Sequence, residues 1–260
     1  MKEFLKKLSQ DLEGQLIYDD LHRSIYATDA SVYRELPLAV CYPKSESDIK
    51  ILILFAGKHE IGLIPRTAGT SLAGQCVGNG IVMDVSKHFN KILKIDTENQ
   101  TVLVQPGIIR DDLNRELQKH GLFFGPNTST SNRCMIGGMV GNNSSGTTSI
   151  KYGTTRDKLI KLKCILSDSN SVEFSSVSSE EFQRKSKMDT LEGSIYKKLY
   201  HLLSPAEVQQ EVREKFPKET IHRRNTGYAI DTLISTEVFS ESEKAFNLCS
   251  LLAGSEGTLA

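Results

Sequence analysis

The stretch of sequence that decides the fold reads Pro65-Arg66-Thr67-Ala68-Gly69-Thr70-Ser71-Leu72-Ala73-Gly74-Gln75. It follows a short apolar run, residues 61–64, that is typical of a strand. Glycines let successive backbone N–H groups converge on one point, and concave turns of this kind bind phosphate oxygens. Thr70 and Ser71 can add hydroxyl donors, whereas Arg66 could supply charge or pair with a carboxylate. The stretch predicts a phosphate-binding loop, and an irregular polar turn is the structural alternative.

The spacing of Gly69 and Gly74 equals that of a Walker A loop, in which a lysine and then a serine or threonine should follow. Gln75 and Cys76 stand in those two positions. The lysine that would hold the β- and γ-phosphates is therefore missing, and this disfavours a nucleoside triphosphatase.

A second segment, residues 125–146, is long and polar and contains an apolar insert. It begins with Gly125-Pro126-Asn127-Thr128-Ser129-Thr130-Ser131 and continues to Ile136-Gly137-Gly138-Met139-Val140-Gly141-Asn142-Asn143-Ser144-Ser145-Gly146. It has neither the Gly-x-Gly-x-x-Gly of nicotinamide-binding Rossmann folds nor the Gly-x-Ser-x-Gly of a nucleophile elbow. Loops of this length in compact domains are usually functional or disordered, and the apolar insert argues against disorder. The segment therefore predicts a functional loop, in which Gly137-Gly138 would let the backbone approach a flat ligand.

A third region lies near the end of the sequence. It comprises Arg224-Asn225-Thr226-Gly227-Tyr228-Ala229-Ile230-Asp231 and then Ala253-Gly254-Ser255-Glu256-Gly257-Thr258-Leu259-Ala260. The second piece is typical of a tight turn that starts a strand. Since domains seldom end inside such a motif, we expect the natural protein to continue beyond Ala260.

Hydrophobic periodicity outlines the remaining elements. It predicts helices over 1–12, 45–60 and 108–119, strands over 80–85, 91–95 and 101–105, a hairpin of 159–166 with 171–174, and outer helices over 178–218. The order lacks a regular βαβ alternation. It therefore predicts an α+β fold of two lobes, residues 1–95 and residues 96–260.

Composition and charge exclude several classes of function. With 38% hydrophobic and 25% charged residues, the chain is typical of a globular protein. Its 32 basic and 32 acidic residues cancel, which gives no electrostatic reason to expect nucleic acid or an anionic membrane as partner. The cysteines and histidines are scattered without metal-ligand spacing, which predicts no metal site and a reduced, cytoplasmic protein. No run reaches the roughly 18 apolar residues of a transmembrane segment.

Taken together, the three glycine-rich regions resemble the vanillyl-alcohol-oxidase/p-cresol-methylhydroxylase family of FAD-binding proteins. Within that family they resemble the D-lactate, glycolate and D-2-hydroxyglutarate dehydrogenases. The family's opening is similar to Tyr26-Ala27-Thr28-Asp29-Ala30-Ser31-Val32-Tyr33, and its closing signature is similar to Asn225-Thr226-Gly227-Tyr228 with Gly254-Ser255-Glu256-Gly257-Thr258-Leu259. Each motif alone has little specificity, but their common order across nearly the whole chain is specific.

The resemblance implies a two-lobed FAD-binding domain of the p-cresol-methylhydroxylase type, with FAD between the lobes. The loop that would wrap the pyrophosphate contributes Arg66, Thr67, Ala68, Gly69, Thr70, Ser71 and Gln75. The residues implied near the adenosine half are Pro106, Gly107, Ile136, Gly137 and Gly138, and Pro126 completes the cofactor-binding set on this side. The path toward the flavin ring would be lined by Asn142, Ser145, Gly146, Tyr152 and Gly153, and the residues implied to close over the cofactor are Glu256 and Gly257.

Two departures from the family pattern affect the cofactor. Many relatives attach flavin covalently through a histidine just after the first glycine pair, and Thr70 stands in that position here. We therefore expect non-covalent FAD. The first loop of the family usually begins Arg-Gly-Gly-Gly, whereas this loop begins Arg66-Thr67-Ala68-Gly69, and we expect the pocket to be retained.

The resemblance implies an oxidoreductase that moves hydride from the α-carbon of a small 2-hydroxy acid to flavin. No catalytic residue is assigned within this chain, because the substrate-binding arginines and histidines of the family come from cap and C-terminal domains that would lie beyond Ala260. The lengthened block between Tyr228 and Gly254 is similar to long relatives that add an iron–sulfur domain, while the electron acceptor stays open. The alternatives are a non-catalytic FAD- or nucleotide-binding module and an α+β domain with purely structural glycine loops.

Overall fold

A computed structural model describes residues 1–218, 220–221, 223–224 and 227–259. The chain divides into two compact units, one from Met1 to Met139 and one from Val140 onward. The predicted lobe boundary, between residues 95 and 96, lies inside a strand that spans Ile92–Asp96. Two residues of the predicted closing signature, Asn225 and Thr226, lie outside the described residues, as does Ala260.

The first unit is built on a four-stranded sheet. The strands are β1 (Gln15–Ile17), β2 (Ala39–Tyr42), β3 (Leu63–Arg66) and β4 (Ile81–Asp84), in the order β1-β2-β4-β3. β1 is antiparallel to β2, whereas β4 is parallel to both of its neighbours. All four residues of β4 are buried, as expected for the inner strand of a parallel set.

Three helices accompany this sheet, α1 (Lys2–Asp11), α2 (Asp20–Ile25) and α3 (Glu46–His59). α3 begins where Ser45 Oγ accepts a hydrogen bond from the Asp48 N–H over 3.3 Å. It ends at Glu60, whose φ of 53° lies in the left-handed region. Leu5 and Leu8 of α1 pack with Leu52 of α3 in the buried core of this unit.

The rest of the first unit follows the prediction closely. A hairpin of β5 (Ile92–Asp96) and β6 (Thr101–Val104) precedes helix α4 (Arg110–Gln118). Leu113 and Leu117 form the buried face of α4. The predicted helices at 1–12, 45–60 and 108–119 and the predicted strand pair are therefore confirmed.

The 125–146 segment differs from its prediction as a continuous loop. Helix α5 (Ile136–Asn142) forms inside it and crosses the division between the two units. Its first turn is held from outside, because the N–H groups of Ile136 and Gly137 donate to the carbonyl oxygens of Ile108 and Pro106 over 3.0 and 2.8 Å. These bonds satisfy helix N-terminal donors that would otherwise be unpaired.

The second unit continues with α6 (Ser149–Tyr152) and the predicted hairpin, β7 (Leu162–Ile165) with β8 (Ser171–Phe174). The remaining elements are β9 (Ser176–Val177), α7 (Ser179–Ser186), α8 (Leu191–Leu203), α9 (Ala206–Lys215), α10 (Ile230–Ile234), β10 (Phe246–Asn247) and α11 (Cys249–Leu252). An aromatic cluster forms its core, in which the Phe182 ring lies edge-on to the rings of Tyr196 and Phe246 at centroid distances of 5.2 and 4.8 Å. Turns form at residues 253–254 and 256–257, where the sequence predicts a tight turn.

Asp48 joins three segments of the first unit and gives a test of this fold. Its side chain is fully buried and accepts backbone N–H groups from Glu13, Gly14 and Lys44 over 2.7 to 2.9 Å. We expect Asp48→Asn to lower the free energy of unfolding by about 2–3 kcal/mol, because an amide NH₂ would face an N–H donor. Urea denaturation measures this. Glu98→Gln, an equal charge change at an exposed hairpin residue, is the control, and equal losses in both variants would contradict the assignment.

Candidate functional site

The predicted phosphate-binding loop follows the carboxyl end of β3. The side chain of Arg66 packs against this loop. The Arg66 guanidinium donates to the carbonyl oxygens of Tyr26 and Cys76 over 3.3 and 3.4 Å, and it lies 4.9 Å from the centre of the Tyr26 ring. A Cβ added to Gly69 would lie 2.6 Å from this guanidinium. The Arg66 side chain therefore lies in contact with the loop at Gly69. Among the described residues, it forms no ion pair with a carboxylate.

Within the described part of the chain, the loop leaves its backbone N–H groups over 67–72 without hydrogen-bond partners. No hydrogen bond joins the N–H groups of residues 67–72 to another group in the part of the chain that the structure describes. Gly69 and Gly74 have φ angles of 64° and 79°, which side-chain-bearing residues rarely adopt. A turn of this kind with unpaired N–H donors is suited to an anion such as a pyrophosphate.

The opening segment, residues 26–35, packs against this loop. The Ala30 N–H donates to the Gly69 carbonyl oxygen over 3.1 Å. A Cβ added to Gly74 would lie only 2.7 Å from the Tyr33 ring, so this ring packs against Gly74. Tyr26 donates its hydroxyl to Asp84 Oδ2 over 2.5 Å. Burial raises the pKa of Tyr26 and this hydrogen bond raises it further, so the hydroxyl stays protonated. Sequence analysis had assigned Tyr26 no role in supporting Arg66.

Gln75 ends the predicted loop with an unpaired polar atom. Its Oε1 is buried and has no hydrogen-bond partner among the described residues. Buried side-chain oxygens are nearly always hydrogen-bonded in folded proteins, so such an atom marks a place where a ligand can donate. The neighbouring Cys76 is a poor nucleophile, because burial raises the pKa of its thiol to about 11.

The structure brings the predicted adenosine-side residues together. Gly137 donates its N–H to the Pro106 carbonyl oxygen, and a Cβ added to Gly137 would lie 2.5 Å from Pro106 Cβ. A Cβ added to Gly138 would lie 2.7 Å from Thr67 Oγ1. The loop after β3, the loop after β6 and the start of α5 thus meet at positions that only glycine fills. Gly107 is buried and donates to the Phe89 carbonyl oxygen over 2.7 Å.

Pro126 is held at the start of α4. Its carbonyl oxygen accepts a hydrogen bond from Arg110 Nε over 3.1 Å, at the start of α4. In the described residues no hydrogen bond joins Pro126 to the other predicted cofactor-binding residues.

In the second unit, the end of α5 meets the closing turn. Asn142 Nδ2 donates to Glu256 Oε1 over 2.8 Å, across 114 positions of sequence. The N–H groups of Gly254 and Glu256 donate to the carbonyl oxygens of Val140 and Gly141, each over 2.9 Å. Gly254, Glu256 and Gly257 all have positive φ angles, which gives the turn its tight shape. Two parts of the predicted site are therefore in direct contact.

Arg156 fixes this contact, although sequence analysis assigned it no role. Its side chain donates to the Ala253 carbonyl oxygen from Nε over 3.2 Å and from a terminal nitrogen over 2.6 Å. Its backbone N–H donates to Asn143 Oδ1 over 2.9 Å. Burial lowers the pKa of Arg156, an effect that the negative charges of Asp231 and Asp157 oppose. Its position four residues after Tyr152 offered no local signal of this role.

The other predicted residues of the second unit lie on the segment that links α5 to α6 and on α6 itself. Ser145 Oγ is buried without a partner in the described chain, and the Gly146 carbonyl oxygen accepts the Ser149 N–H. Gly153 ends α6 with a φ of 75°. Lys151 Nζ lies 5.3 Å from the centre of the Tyr152 ring. Among the residues that the structure describes, no group of three His, Cys, Asp or Glu side chains is arranged to hold a metal ion.

Comparison with known families agrees with this geometry. The sequence profile of a family described as "FAD binding domain" matches residues 37–175. The chain belongs to this FAD-binding family. The matched range contains the predicted phosphate-binding loop over 65–75, the loop after β6, and helices α5 and α6.

Relatives of this FAD-binding chain include dehydrogenases and an oxidase subunit. A D-2-hydroxyglutarate dehydrogenase of Pantoea ananatis is 36% identical over 261 residues, which cover 99% of this chain and 25% of that protein. The D-2-hydroxyglutarate dehydrogenase of Escherichia coli is 34% identical over 261 residues with the same coverage. The glycolate oxidase subunit GlcD of Bacillus subtilis is 36% identical over 172 residues, 62% of this chain and 37% of that protein. The chain thus spans about a quarter of the length of the D-2-hydroxyglutarate dehydrogenases.

Solved structures show the fold of this FAD-binding chain. An alkyldihydroxyacetonephosphate synthase superposes with a TM-score of 0.60 at 23% identity, covering 66% of this chain and 35% of that one. A p-cresol methylhydroxylase superposes with a TM-score of 0.58 at 16% identity, covering 66% and 34%. The predicted α+β fold of the p-cresol-methylhydroxylase type is confirmed. In the described part of the chain, no helix has the length and hydropathy to span a membrane.

The residues present fit an FAD molecule by their own chemistry. In the first unit, the loop over 67–72 offers N–H groups that have no partner among the described residues and suit a pyrophosphate, and Gln75 Oε1 is a buried acceptor. The second unit offers Ser145 Oγ, a buried hydroxyl that can donate or accept. A dinucleotide carries phosphate oxygens and hydroxyl groups, so the polar atoms of each unit, taken separately, match groups that FAD carries.

Two glycines of α5 test the close packing of its first turn. We expect Gly137→Ala to lower the free energy of unfolding by about 1–3 kcal/mol, because the new methyl group would overlap Pro106. Gly141→Ala is the matched control, since a Cβ there would meet nothing within 4 Å. That variant should be neutral or more stable by up to about 1 kcal/mol, because alanine favours helix. Equal unfolding free energies of the two variants in urea would refute the close contact.

Proposed function

We propose that this chain is the FAD-binding portion of a flavin-dependent dehydrogenase that oxidises a 2-hydroxy acid of the D-lactate, glycolate or D-2-hydroxyglutarate class. The observation that carries the proposal is the similarity to D-2-hydroxyglutarate dehydrogenases over 99% of this chain. The meeting of Thr67, Pro106 and the first turn of α5 supports it, because these are segments that the resemblance assigns to FAD.

The chain's own contribution is binding and orientation. The N–H groups of residues 67–72 would hold the pyrophosphate, with Arg66 keeping the loop in shape from below. The contact of Asn142 with Glu256 would keep the closing turn in place. When bound, FAD supplies the chemistry, since flavins accept hydride. We assign no catalytic acid or base to the described residues.

We further propose that FAD is bound without a covalent link. Thr70 stands where many relatives have the histidine that carries flavin, and a threonine hydroxyl is a poor nucleophile without an adjacent base. A cytoplasmic location is part of the same proposal. We also propose that substrate-binding and iron–sulfur domains lie in segments outside this sequence. The electron acceptor is left open.

A flavin-binding measurement tests the proposal. The purified chain mixed with FAD and passed through a desalting column should retain flavin absorbance. Acid precipitation should then release all of the flavin into the supernatant, because no covalent bond holds it. Flavin in the pellet would contradict the non-covalent assignment, and a protein fraction without flavin would contradict the FAD site.

A glycine substitution in the loop after β3 tests whether this loop takes part in flavin binding. We expect Gly74→Ala to weaken FAD binding by roughly tenfold or more, because a φ of 79° and the Tyr33 ring both oppose a side chain there. Gly57→Ala, in α3 with nothing within 4 Å of the new Cβ, is the control and should bind normally. Oxidation of D-2-hydroxyglutarate by a longer form of the protein would separate the dehydrogenase from the alternative, an FAD- or nucleotide-binding module without turnover.

A further inference from the structure

Asn143 combines deep burial with an unusual backbone conformation at the end of α5. Only 3% of its surface is exposed, and its φ is 50°. Asparagine is one of the few residues with a side chain that occupies this left-handed region readily. Sequence analysis did not include Asn143 among the cofactor-binding residues.

Arg156 fixes which way the Asn143 amide faces. The backbone N–H of Arg156 donates to Asn143 Oδ1 over 2.9 Å. Only an acceptor can lie opposite an N–H group, so the oxygen and nitrogen of this amide cannot be exchanged. Asn143 Nδ2 therefore has a defined position, away from the Arg156 N–H.

That nitrogen is the second notable feature of Asn143. Asn143 Nδ2 is buried and forms no hydrogen bond within the described ranges of the chain. Two positions further on, Ser145 Oγ is also buried and has no partner in the residues that the structure describes. Leaving buried donors unpaired destabilises a folded chain, and such groups in folded proteins usually have a specific reason. The segment that joins α5 to α6 therefore carries two polar atoms suited to a bound ligand.

We infer that Asn143 is a further cofactor-binding residue, whose Nδ2 donates a hydrogen bond to an acceptor atom of the bound flavin nucleotide. The inference rests on the proposed function. Flavin nucleotides are rich in acceptors, because they carry phosphate oxygens, hydroxyl groups, ring nitrogens and ring carbonyl oxygens. Arg156 acts as a positioning residue, since it holds Asn143 through its backbone and the closing turn through its guanidinium.

Asn143→Asp is the variant that isolates this donor. The aspartate keeps an oxygen for the Arg156 N–H but replaces the NH₂ group by a second oxygen, which cannot donate. We expect the affinity of the 260-residue chain for FAD, measured by flavin fluorescence titration, to fall by roughly tenfold to hundredfold. Asn143→Gly, which is uncharged and adopts a positive φ freely, should weaken binding by at least roughly tenfold as well.

Asn247→Asp is the matched control in the same unit. Asn247 Oδ1 also accepts a backbone N–H, from Cys249 over 2.9 Å, but its Nδ2 has a protein partner, the Ile160 carbonyl oxygen, over 2.9 Å. The control should therefore melt at a lower temperature without FAD and bind FAD as the unchanged chain does. Asn143→Gly should bind weakly even when corrected for any change in melting temperature.

The outcomes separate this inference from the proposed function. If the unchanged chain binds FAD and both Asn143 variants bind it equally tightly, Asn143 is not a cofactor-binding residue and the proposed function stands. If Asn247→Asp loses as much affinity as Asn143→Asp, the loss is a general effect of the substitution and the inference fails. If the unchanged chain does not bind FAD, both the proposed function and this inference fail.

Discussion

The parallel pairing of β3 with β4 places Arg66 opposite Asp84 at one edge of the sheet, and Tyr26 joins them. The Tyr26 hydroxyl donates to Asp84, and its ring lies under the Arg66 guanidinium. Arg66 stands at the start of the predicted phosphate-binding loop and donates to the carbonyl oxygen of Cys76, just after its end, so it links the two ends of the loop. It also donates to the carbonyl oxygen of Tyr26, which anchors the loop to the segment after α2. Side chains thus hold the loop in shape, although its backbone N–H groups over 67–72 form no hydrogen bond within the described residues.

The glycines of the candidate site allow segments of the chain to pack closely against one another. Gly137 lies against Pro106 and Gly138 against Thr67, so the missing side chains let a helix and two loops approach each other. Gly254 has the same role in the second unit, where a Cβ would lie 2.8 Å from the Arg156 guanidinium. The glycine-rich segments of this chain therefore let neighbouring segments of the same unit approach closely.

Local patterns predicted much of the fold, and the differences come from contacts between distant segments. The turn after β3 was predictable because a strand and two glycines stand side by side in the sequence. Helix α5 was not, because three glycines and an asparagine give it low intrinsic helix propensity, and it forms with the help of bonds to the Pro106 and Ile108 carbonyl oxygens. The partners of Arg66 were equally hidden, since its acceptors are main-chain oxygens, which every residue carries. Of the candidate site, Gln75 and Ser145 were predicted from resemblance, whereas Arg156 acquires its role only through the folded backbone of residues 143 and 253.

Two buried cysteines allow the opening of each unit to be measured by thiol alkylation. Burial raises the pKa of both Cys41 and Cys249 to about 12, so at neutral pH neither thiol reacts until the structure around it opens. Cys41 lies on β2 in the first unit and Cys249 begins α11 in the second. The rates at which the two thiols are alkylated in the native protein therefore report the opening of each unit separately, without any added label.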